Sequence, residues 1–225
     1  MKPSGSPESQ KRPRLIVGIS GASGAIYGVR LLETLRELAV ESHLILSRAA
    51  EMTIAYETDL KPSAVKALAD VVHPVTDLAA PVSSGSFHTL GMIIAPCSVR
   101  SMAEIATGVT SSLLTRAADV TLKERRRLVL MLRETPLHSG HLRNMLALSD
   151  MGAVIAPPVP AFYARPQSIE AMVDHSIGRV LDLFGLDSGK VKRWGEAGAD
   201  EMSHLRALFA SGDEQWEAYW HPSPN

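Results

Sequence analysis

"RLIVGISGASGAIYGVRLLE" (14–33) joins an apolar run to an amphipathic segment through a turn rich in glycine. The glycines of the turn, Gly18, Gly21 and Gly24, follow the spacing G-x-x-G-x-x-G. The run "RLIVGIS" is typical of a strand buried on both faces, and "AIYGVRLLETLREL" carries apolar residues at helical spacing. A strand, a glycine turn and a helix in this order can hold a phosphate, because the N–H groups and the dipole at a helix start favour an anion.

The same alternation continues along the chain. Further apolar runs predict buried strands at "HLILS" (43–47), "MIIAPC" (92–97), "RLVLML" (127–132) and "AVIAP" (153–157). Helical patterns lie between or after these runs, from 98 into the 110s, at 139–150 and, most clearly, at 166–185. Strands that alternate with helices predict an α/β fold, an open parallel sheet with helices on both faces.

The composition of the 225 residues fits one globular domain, with 45% hydrophobic and 21% charged residues. A net charge of -1 gives no reason to expect a nucleic-acid or membrane partner. The single cysteine, Cys97, excludes an internal disulfide framework and suits a reducing compartment. No apolar stretch has the length of a membrane span, and the N-terminal segment lacks the apolar core of a secretory signal. We therefore expect a cytoplasmic protein.

The residues alone leave three interpretations of the glycine turn open. A dinucleotide site requires G-x-G-x-x-G and an acid at the end of the second strand, where this chain has Ser47 and Arg48. Arg48 could accept a 2′-phosphate, which leaves NADP disfavoured but open. The hydroxyls of the turn suit the phosphate of a mononucleotide. A plain turn with a serine at the helix N-cap explains the pattern equally well.

Polar side chains follow several of the predicted strands. Ser23, Ser47 and Ser98 come after the first three, and Arg133 and Glu134 follow "RLVLML". Because the carboxyl ends of parallel strands meet at one edge of the sheet, these groups predict a ligand site there. An arginine beside a carboxylate can bind a phosphate and move a proton.

Other reactive side chains carry weaker signals. Cys97 is expected to be a small buried side chain and not a nucleophile. His138 and His141 lack a third ligand for a metal, so a solvated or capping role is expected. Glu57, in "YETD", has no local signature, and on its own it predicts a surface side chain.

Taken together, the motifs resemble those of the UbiX-type flavin prenyltransferases over nearly all of residues 14–196. The matching stretches are "GISGASGAIYGVRLLE", "SRAA", "ETD", "SSGSF", "PCS", "TRAADVTLKERRRLVLMLRETPLH", "HLRNM", "GAVIAPPVPAFYARPQS" and "RWGE". The resemblance implies a Rossmann-like flavoprotein fold that binds FMN without a metal, in a homo-oligomer, typically a dodecamer, with sites between subunits. It also implies transfer of a dimethylallyl group from dimethylallyl phosphate to N5 and C6 of reduced FMN, whose product serves a UbiD-type decarboxylase.

The resemblance also assigns site residues, position by position. The expected cofactor-binding residues are Ala22, Ser23, Gly24, Ser47, Ser98, Val99, Arg100, Ser101, Arg116 and Arg133. The expected catalytic residues are Glu57, Lys123, Glu134, Tyr163 and Arg179, which replaces the surface interpretation of Glu57. The expected substrate-binding residues are Lys123, Arg133, Glu134, Tyr163, Arg179 and Trp194.

These assignments are chemically consistent. The cations Lys123, Arg133 and Arg179 can stabilise the leaving phosphate as the allylic C–O bond breaks. Glu134 can give a proton to the phosphate or receive one during ring closure. An allylic cation can be sheltered by the faces of the flavin and of Trp194.

Two positions depart from the family pattern. Arg100 stands where relatives vary, so its contact with the flavin is expected through the backbone alone. Arg127 stands where a proline is common. Neither departure touches the expected chemistry.

The sequence also predicts the domain limits and leaves other activities to be tested. We expect a disordered tail at 1–13, the flavin prenyltransferase domain at 14–197, and a tail or arm at 198–225. An FMN-dependent cysteine decarboxylase would need a histidine after the first helix and a "PASANT" stretch, where this chain has "APCSVR". A non-enzymatic flavin carrier would not need the catalytic set. Ubiquinone synthesis and aromatic-acid breakdown are both open as pathways.

Overall fold

In the central sheet, the chain adds strands first on one side of the first strand and then on its other side. The computed structural model describes residues 12–194, and in that range one parallel sheet contains β1 (Arg14–Ile19), β2 (Glu41–Leu46), β3 (Val71–His73), β4 (Gly91–Cys97), β5 (Arg127–Leu132) and β6 (Val154–Ile155). Their spatial order is β3-β2-β1-β4-β5-β6. Chain connections leave β1 towards β2 on one side and enter β4 on the other, which opens a crevice at the carboxyl ends of these two strands.

The helices confirm the predicted α/β class. They are α1 (Ala25–Glu37), α2 (Arg48–Glu57), α3 (Pro62–Lys66), α4 (Val99–Ala106), α5 (Leu113–Lys123), α6 (Ser139–Asp150) and α7 (Ile169–Asp182). The sequence analysis missed α2, α3 and β3, and it predicted one helix from 98 into the 110s where the structure has α4 and α5. β3 has only three residues, too few for a periodic signal. α2 follows Ser47, a helix N-cap that the sequence does contain. None of the helices in residues 12–194 has the length and apolar character needed to cross a membrane.

Both faces of the sheet are buried, which explains the continuous apolar runs. Alternate strand residues enter different cores because successive side chains of a strand point to opposite faces. Val17 and Val129 pack with α1 and α7 on one face, whereas Ile16 and Leu130 pack with α4 and α5 on the other. A strand covered on both sides needs apolar residues at nearly every position, as β1, β4 and β5 have after their first residue, whereas β2 begins with Glu41, Ser42 and His43.

The chain divides into two compact units. The first contains Met1–Ala161 and Pro166–Val191, and the second contains Phe162–Arg165 and Lys192–Asn225. Within the described part of the second unit, Phe162–Ala164 form a short 3-10 helix. Residues 1–11 and 195–225 lie outside the described residues, so both predicted tails fall largely there. The expected domain limits, 14–197, stay a prediction.

Candidate active site

Ser20 ties together the two strand ends that flank the crevice. Its backbone N–H and its hydroxyl both donate to the Pro96 carbonyl, at 3.2 and 2.9 Å. The Ser98 N–H donates to the Ser20 hydroxyl oxygen at 2.7 Å. The turns after β1 and β4 are therefore fixed to each other where the strand order reverses.

A cavity of about 510 Å³ opens at this rim. Ser20, Ser47, Arg48, Ser98, Arg100 and Ser101 are among its lining residues. Three helices begin at it, since the N-caps of α2, α4 and α5 are Ser47, Ser98 and Ser112. Each N-cap hydroxyl accepts a backbone N–H of its own helix, at 3.1, 3.2 and 3.4 Å respectively. The positive ends of three helix dipoles meet here, an environment that favours an anion.

Only part of the expected cofactor set lines this cavity. Ser47, Ser98, Arg100 and Ser101 do, from the ends of β2 and β4. Arg116 lies in the first turns of α5, where its guanidinium pairs with Asp119 at 2.7 Å. Val99 is the first residue of α4, and the buried Ala22 lies in the glycine turn.

The glycine turn holds a carboxylate of the same chain. The N-cap of α1 is Gly24, whose φ of 98° lies in the left-handed region that favours glycine and which has no side chain to cap the helix. Glu57, the last residue of α2, does so instead: its Oε2 accepts the N–H groups of Gly24 and Ala25 at 2.8 and 3.0 Å. Glu57 therefore takes up the N–H groups of Gly24 and Ala25 in this structure.

The surroundings of Glu57 favour its ionised form. Burial alone would raise the pKa of Glu57, but hydrogen bonds from the Ser23 side chain and from the Ala25 and Gly24 N–H groups outweigh it, together with the charge of Arg133. The pKa of Glu57 is consequently below its ordinary value. Ser23 thus belongs with Glu57, and the helix cap comes from α2 rather than from a serine of the turn.

Glu57→Ala is expected to lower the free energy of unfolding by about 1 kcal/mol at neutral pH, because α1 loses its N-terminal acceptor. A lowered folded pKa gives stability that is present above the unfolded glutamate pKa of about 4.3 and is lost as the pH falls through the folded value. The difference from the parent, measured by thermal unfolding from pH 7 to 3, should therefore shrink below about pH 4. Asp59→Ala, which removes an exposed acid two residues away, is the control; an equal loss in that variant would show a general charge effect.

Arg133 connects the end of β5 to the glycine turn. Its Nε donates to the Ser23 carbonyl at 3.2 Å, and its backbone N–H donates to the Cys97 carbonyl at 3.1 Å. Glu134 is exposed beside it, with Oε1 accepting the Thr135 N–H at 3.0 Å. Ser23, Glu57, Arg133 and Glu134 therefore meet at the carboxyl edge of the sheet.

Lys123 and Arg179 lie at the opposite edge of the first unit. Lys123 ends α5 just before β5 starts, and it forms an ion pair with Glu124. Arg179 is in the last turn of α7, where it pairs with Asp182 at 2.7 Å. α7 leads to Phe184, whose ring centroid is 5.9 Å from the Arg127 guanidinium at the start of β5. One chain therefore does not bring these two cations to Arg133.

Tyr163 and Trp194 belong to the second unit. Their rings meet edge to face, with centroids 5.4 Å apart and planes at 85°. This arrangement gives an aromatic pair with one phenolic hydroxyl.

The remaining reactive side chains have structural roles. Cys97 is fully buried, and burial raises its pKa to about 12, so its thiol stays protonated. His138 caps α6 by accepting the Gly140 N–H at 3.1 Å. Residues 12–194 contain no group of three or more His, Cys, Asp or Glu side chains placed to hold a metal ion.

Sequence reasoning missed two contributors to the cavity wall. Glu104 accepts hydrogen bonds from Arg100 at 2.9 Å and from the Ser111 hydroxyl at 2.8 Å. Ser112 forms a capping box with Thr115. The capping box could have been found from the spacing of "SSLLT" (111–115). The contact between Glu104 and Ser111 could not, because it joins residues of two different segments.

Comparisons with known proteins agree on one family. A model of the family described as Flavoprotein matches residues 3–181. The flavin prenyltransferase UbiX of Escherichia coli is 59% identical over 174 residues, which are 77% of this chain and 92% of that protein. The crystal structure of AnUbiX (PadA1) in complex with FMN and dimethylallyl pyrophosphate has a TM-score of 0.82 and 56% identity, covering 84% of this chain and 100% of that one. A dodecameric FMN-dependent Ubix-like decarboxylase from Escherichia coli has a TM-score of 0.79 and 52% identity, covering 80% and 98% respectively.

Proposed function

Because the chain belongs to the UbiX-type flavin prenyltransferases of the Flavoprotein family, we propose that it transfers a dimethylallyl group from dimethylallyl phosphate to reduced FMN. The new bonds form at N5 and C6, and the prenylated FMN passes to a UbiD-type decarboxylase. The observation that carries the proposal is the crevice between β1 and β4, where three helix N-termini and several serine hydroxyls face one cavity.

The residues of that cavity fit FMN. A phosphate monoester needs several hydrogen-bond donors, and the hydroxyls of Ser47, Ser98 and Ser101 line the cavity. Its volume of about 510 Å³ lies in the range of cofactor sites. When bound and reduced, FMN supplies the two nucleophilic atoms of the reaction. Further residues that we assign to the flavin are Ala22, Ser23 and Gly24 of the glycine turn, Glu57 at the end of α2, and Val99, Arg100, Arg116 and Arg133.

The cations of the phosphate clamp require a second copy of the chain. Arg133 lies at the carboxyl edge of the sheet, whereas Lys123 and Arg179 lie at the amino edge. Since both edges belong to the same rigid sheet, the three cations meet only if a neighbouring copy presents its amino edge. We therefore propose a homo-oligomer with the site between subunits, and the dodecameric relative supports a dodecamer.

The clamp acts on the leaving group. As the allylic C–O bond breaks, its electron pair goes to the phosphate, and Lys123, Arg133 and Arg179 stabilise the growing negative charge. Tyr163 donates a hydrogen bond to the same oxygens. The faces of the flavin and of Trp194 shelter the allylic cation.

Two carboxylates handle protons in different ways. Glu57 is ionised and accepts the Ser23 hydroxyl, so this pair can receive a proton from a group that faces the glycine turn. Glu134 gives a proton to the released phosphate or takes one during ring closure. We place the protein in the cytoplasm, which its single, buried cysteine suits.

The purified protein, incubated anaerobically with reduced FMN and dimethylallyl phosphate, is expected to yield a flavin heavier by one C5H8 unit. Mass spectrometry of the released flavin measures this directly. A parallel incubation with dimethylallyl pyrophosphate determines whether that donor also reacts. If folded protein with bound flavin returned only unmodified FMN from both donors, the proposed reaction would be wrong.

A further inference from the structure

We propose that Arg48 supplies the full positive charge that binds the FMN phosphate, and that it thereby selects the phosphorylated flavin over riboflavin. The inference rests on the proposed function, because it concerns the same cavity. The sequence alone left open that Arg48 contacts the 2′-phosphate of NADP. The proposed role in binding the FMN phosphate replaces that interpretation.

Arg48 stands at the cavity because of the local structure. It is the first residue of α2, directly after the N-cap Ser47, and it lines the cavity with Ser98 and Ser101. Its side chain is exposed, so the guanidinium can turn towards a ligand without leaving a buried partner.

The charged residues that line the cavity differ in whether they already form an ion pair. The charged residues that line it are Arg48, Arg100 and Glu104. Arg100, with its side chain 84% exposed, pairs with Glu104, whose carboxylate also accepts the Ser111 hydroxyl. Arg100 and Glu104 thus largely neutralise each other.

Arg48 has no such partner. The next acid along α2, Glu51, pairs with Lys66 at 2.6 Å. In residues 12–194, no carboxylate lies within ion-pair distance of Arg48. Among the residues that line the cavity, Arg48 is therefore the cation that can bind a ligand without breaking an existing ion pair.

A phosphate monoester needs a cation in addition to helix N-termini. It carries close to two negative charges at neutral pH, whereas each helix end contributes only a partial positive charge. The N–H groups of Gly24 and Ala25 contribute nothing, because the ionised Glu57 already accepts them, and its negative charge repels an anion. The planar guanidinium of Arg48 can form two parallel hydrogen bonds to phosphate oxygens.

The test compares the affinities of FMN and riboflavin, which differ only in the phosphate. Arg48→Gln is expected to weaken FMN binding by about 10- to 100-fold and riboflavin binding by less than about twofold. Arg48→Lys, which keeps the charge, should retain most of the FMN affinity. Arg125→Gln removes the same charge from the amino edge of the sheet and should leave both affinities unchanged. Quenching of flavin fluorescence on titration with the full-length protein gives each dissociation constant.

Three outcomes would overturn the inference: an unchanged FMN affinity in Arg48→Gln, an equal loss for FMN and riboflavin, or an equal loss in Arg125→Gln. Unaltered riboflavin binding by Arg48→Gln shows that the variant is folded. The inference and the proposed function can fail separately. If Arg48 selects FMN but no prenylated product forms, the proposed function is wrong and the inference stands. If the product forms but Arg48→Gln binds FMN as the parent does, the inference is wrong and the proposed function stands.

Discussion

Glu134→Gln is expected to retain FMN and to lower the rate of prenyl transfer by about 100-fold or more. Glu134 follows β5 at the carboxyl edge of the sheet, next to the Arg133 side chain that reaches the glycine turn. Glutamine keeps the shape and can still accept the Thr135 N–H, but it cannot carry a proton. The loss should therefore appear in turnover and not in flavin affinity.

The experiment needs three measurements on each protein: the flavin content, the affinity for FMN, and the single-turnover rate with reduced FMN and dimethylallyl phosphate. Glu37→Gln is a matched control, because Glu37 is an exposed carboxylate at the end of α1 that pairs only across the surface with Lys190. Transfer at the parent rate by Glu134→Gln would mean that another group moves the proton. Loss of bound FMN would instead assign Glu134 to flavin binding.

Gly28→Ala is expected to destabilise the protein by about 2–3 kcal/mol, although alanine is the better helix former by about 1 kcal/mol. Gly28 is buried in α1 where this helix crosses the sheet. A Cβ there would lie 2.5 Å from the Ala95 carbonyl oxygen and 2.5 Å from Ile19 Cδ1. The carbonyl belongs to the backbone of β4, so relief requires α1 to move away from the sheet that positions the glycine turn.

Gly178→Ala provides the contrast. In α7 the added Cβ would meet only the ends of side chains, those of Val191 and Ser188 at 2.4 and 2.6 Å, which can rotate or shift. Its loss should be less than half of that in Gly28→Ala. Thermal unfolding at equal protein concentration measures both, with roughly 2–4 °C expected per kcal/mol. A Gly28→Ala variant as stable as the parent would show that α1 can move outward without cost.

If the proposed roles hold, the distribution of charge over the first unit makes one chain an incomplete catalyst. Glu57, Arg133 and Glu134 lie at one edge of the sheet, and Lys123 and Arg179 lie at the other. α5 starts at the carboxyl edge and returns the chain to the start of β5, so Lys123 at its end lies at the amino edge, and α7 ends close to Phe184, which lies beside Arg127 at the start of β5. Residues late in α5 or α7 therefore face away from the site of their own chain, and assembly is part of the proposed chemistry.

Much of the fold could be predicted from short-range patterns. "RLVLML" matches β5 residue for residue, and 139–150 matches α6, because burial on both faces or along one stripe imposes a periodic choice of side chains. The convergence of Ser47 and Ser98 was equally predictable, since parallel strands place their carboxyl ends at one edge. β3 was not, because three residues at the side of a sheet carry no period.

The sequence by itself determined the strands, the helices that cover them, the rim of serines and, through its motifs, the family. Only the tertiary structure decided what occupies the glycine turn. Glu57 lies more than thirty residues from Gly24 along the chain, and no local pattern records that α2 ends where α1 begins. It likewise decided that Arg100 is paired and Arg48 is not. Periodicity indicates on which face of its own helix or strand a residue lies, whereas a hydrogen bond between two elements depends on how both pack on the sheet.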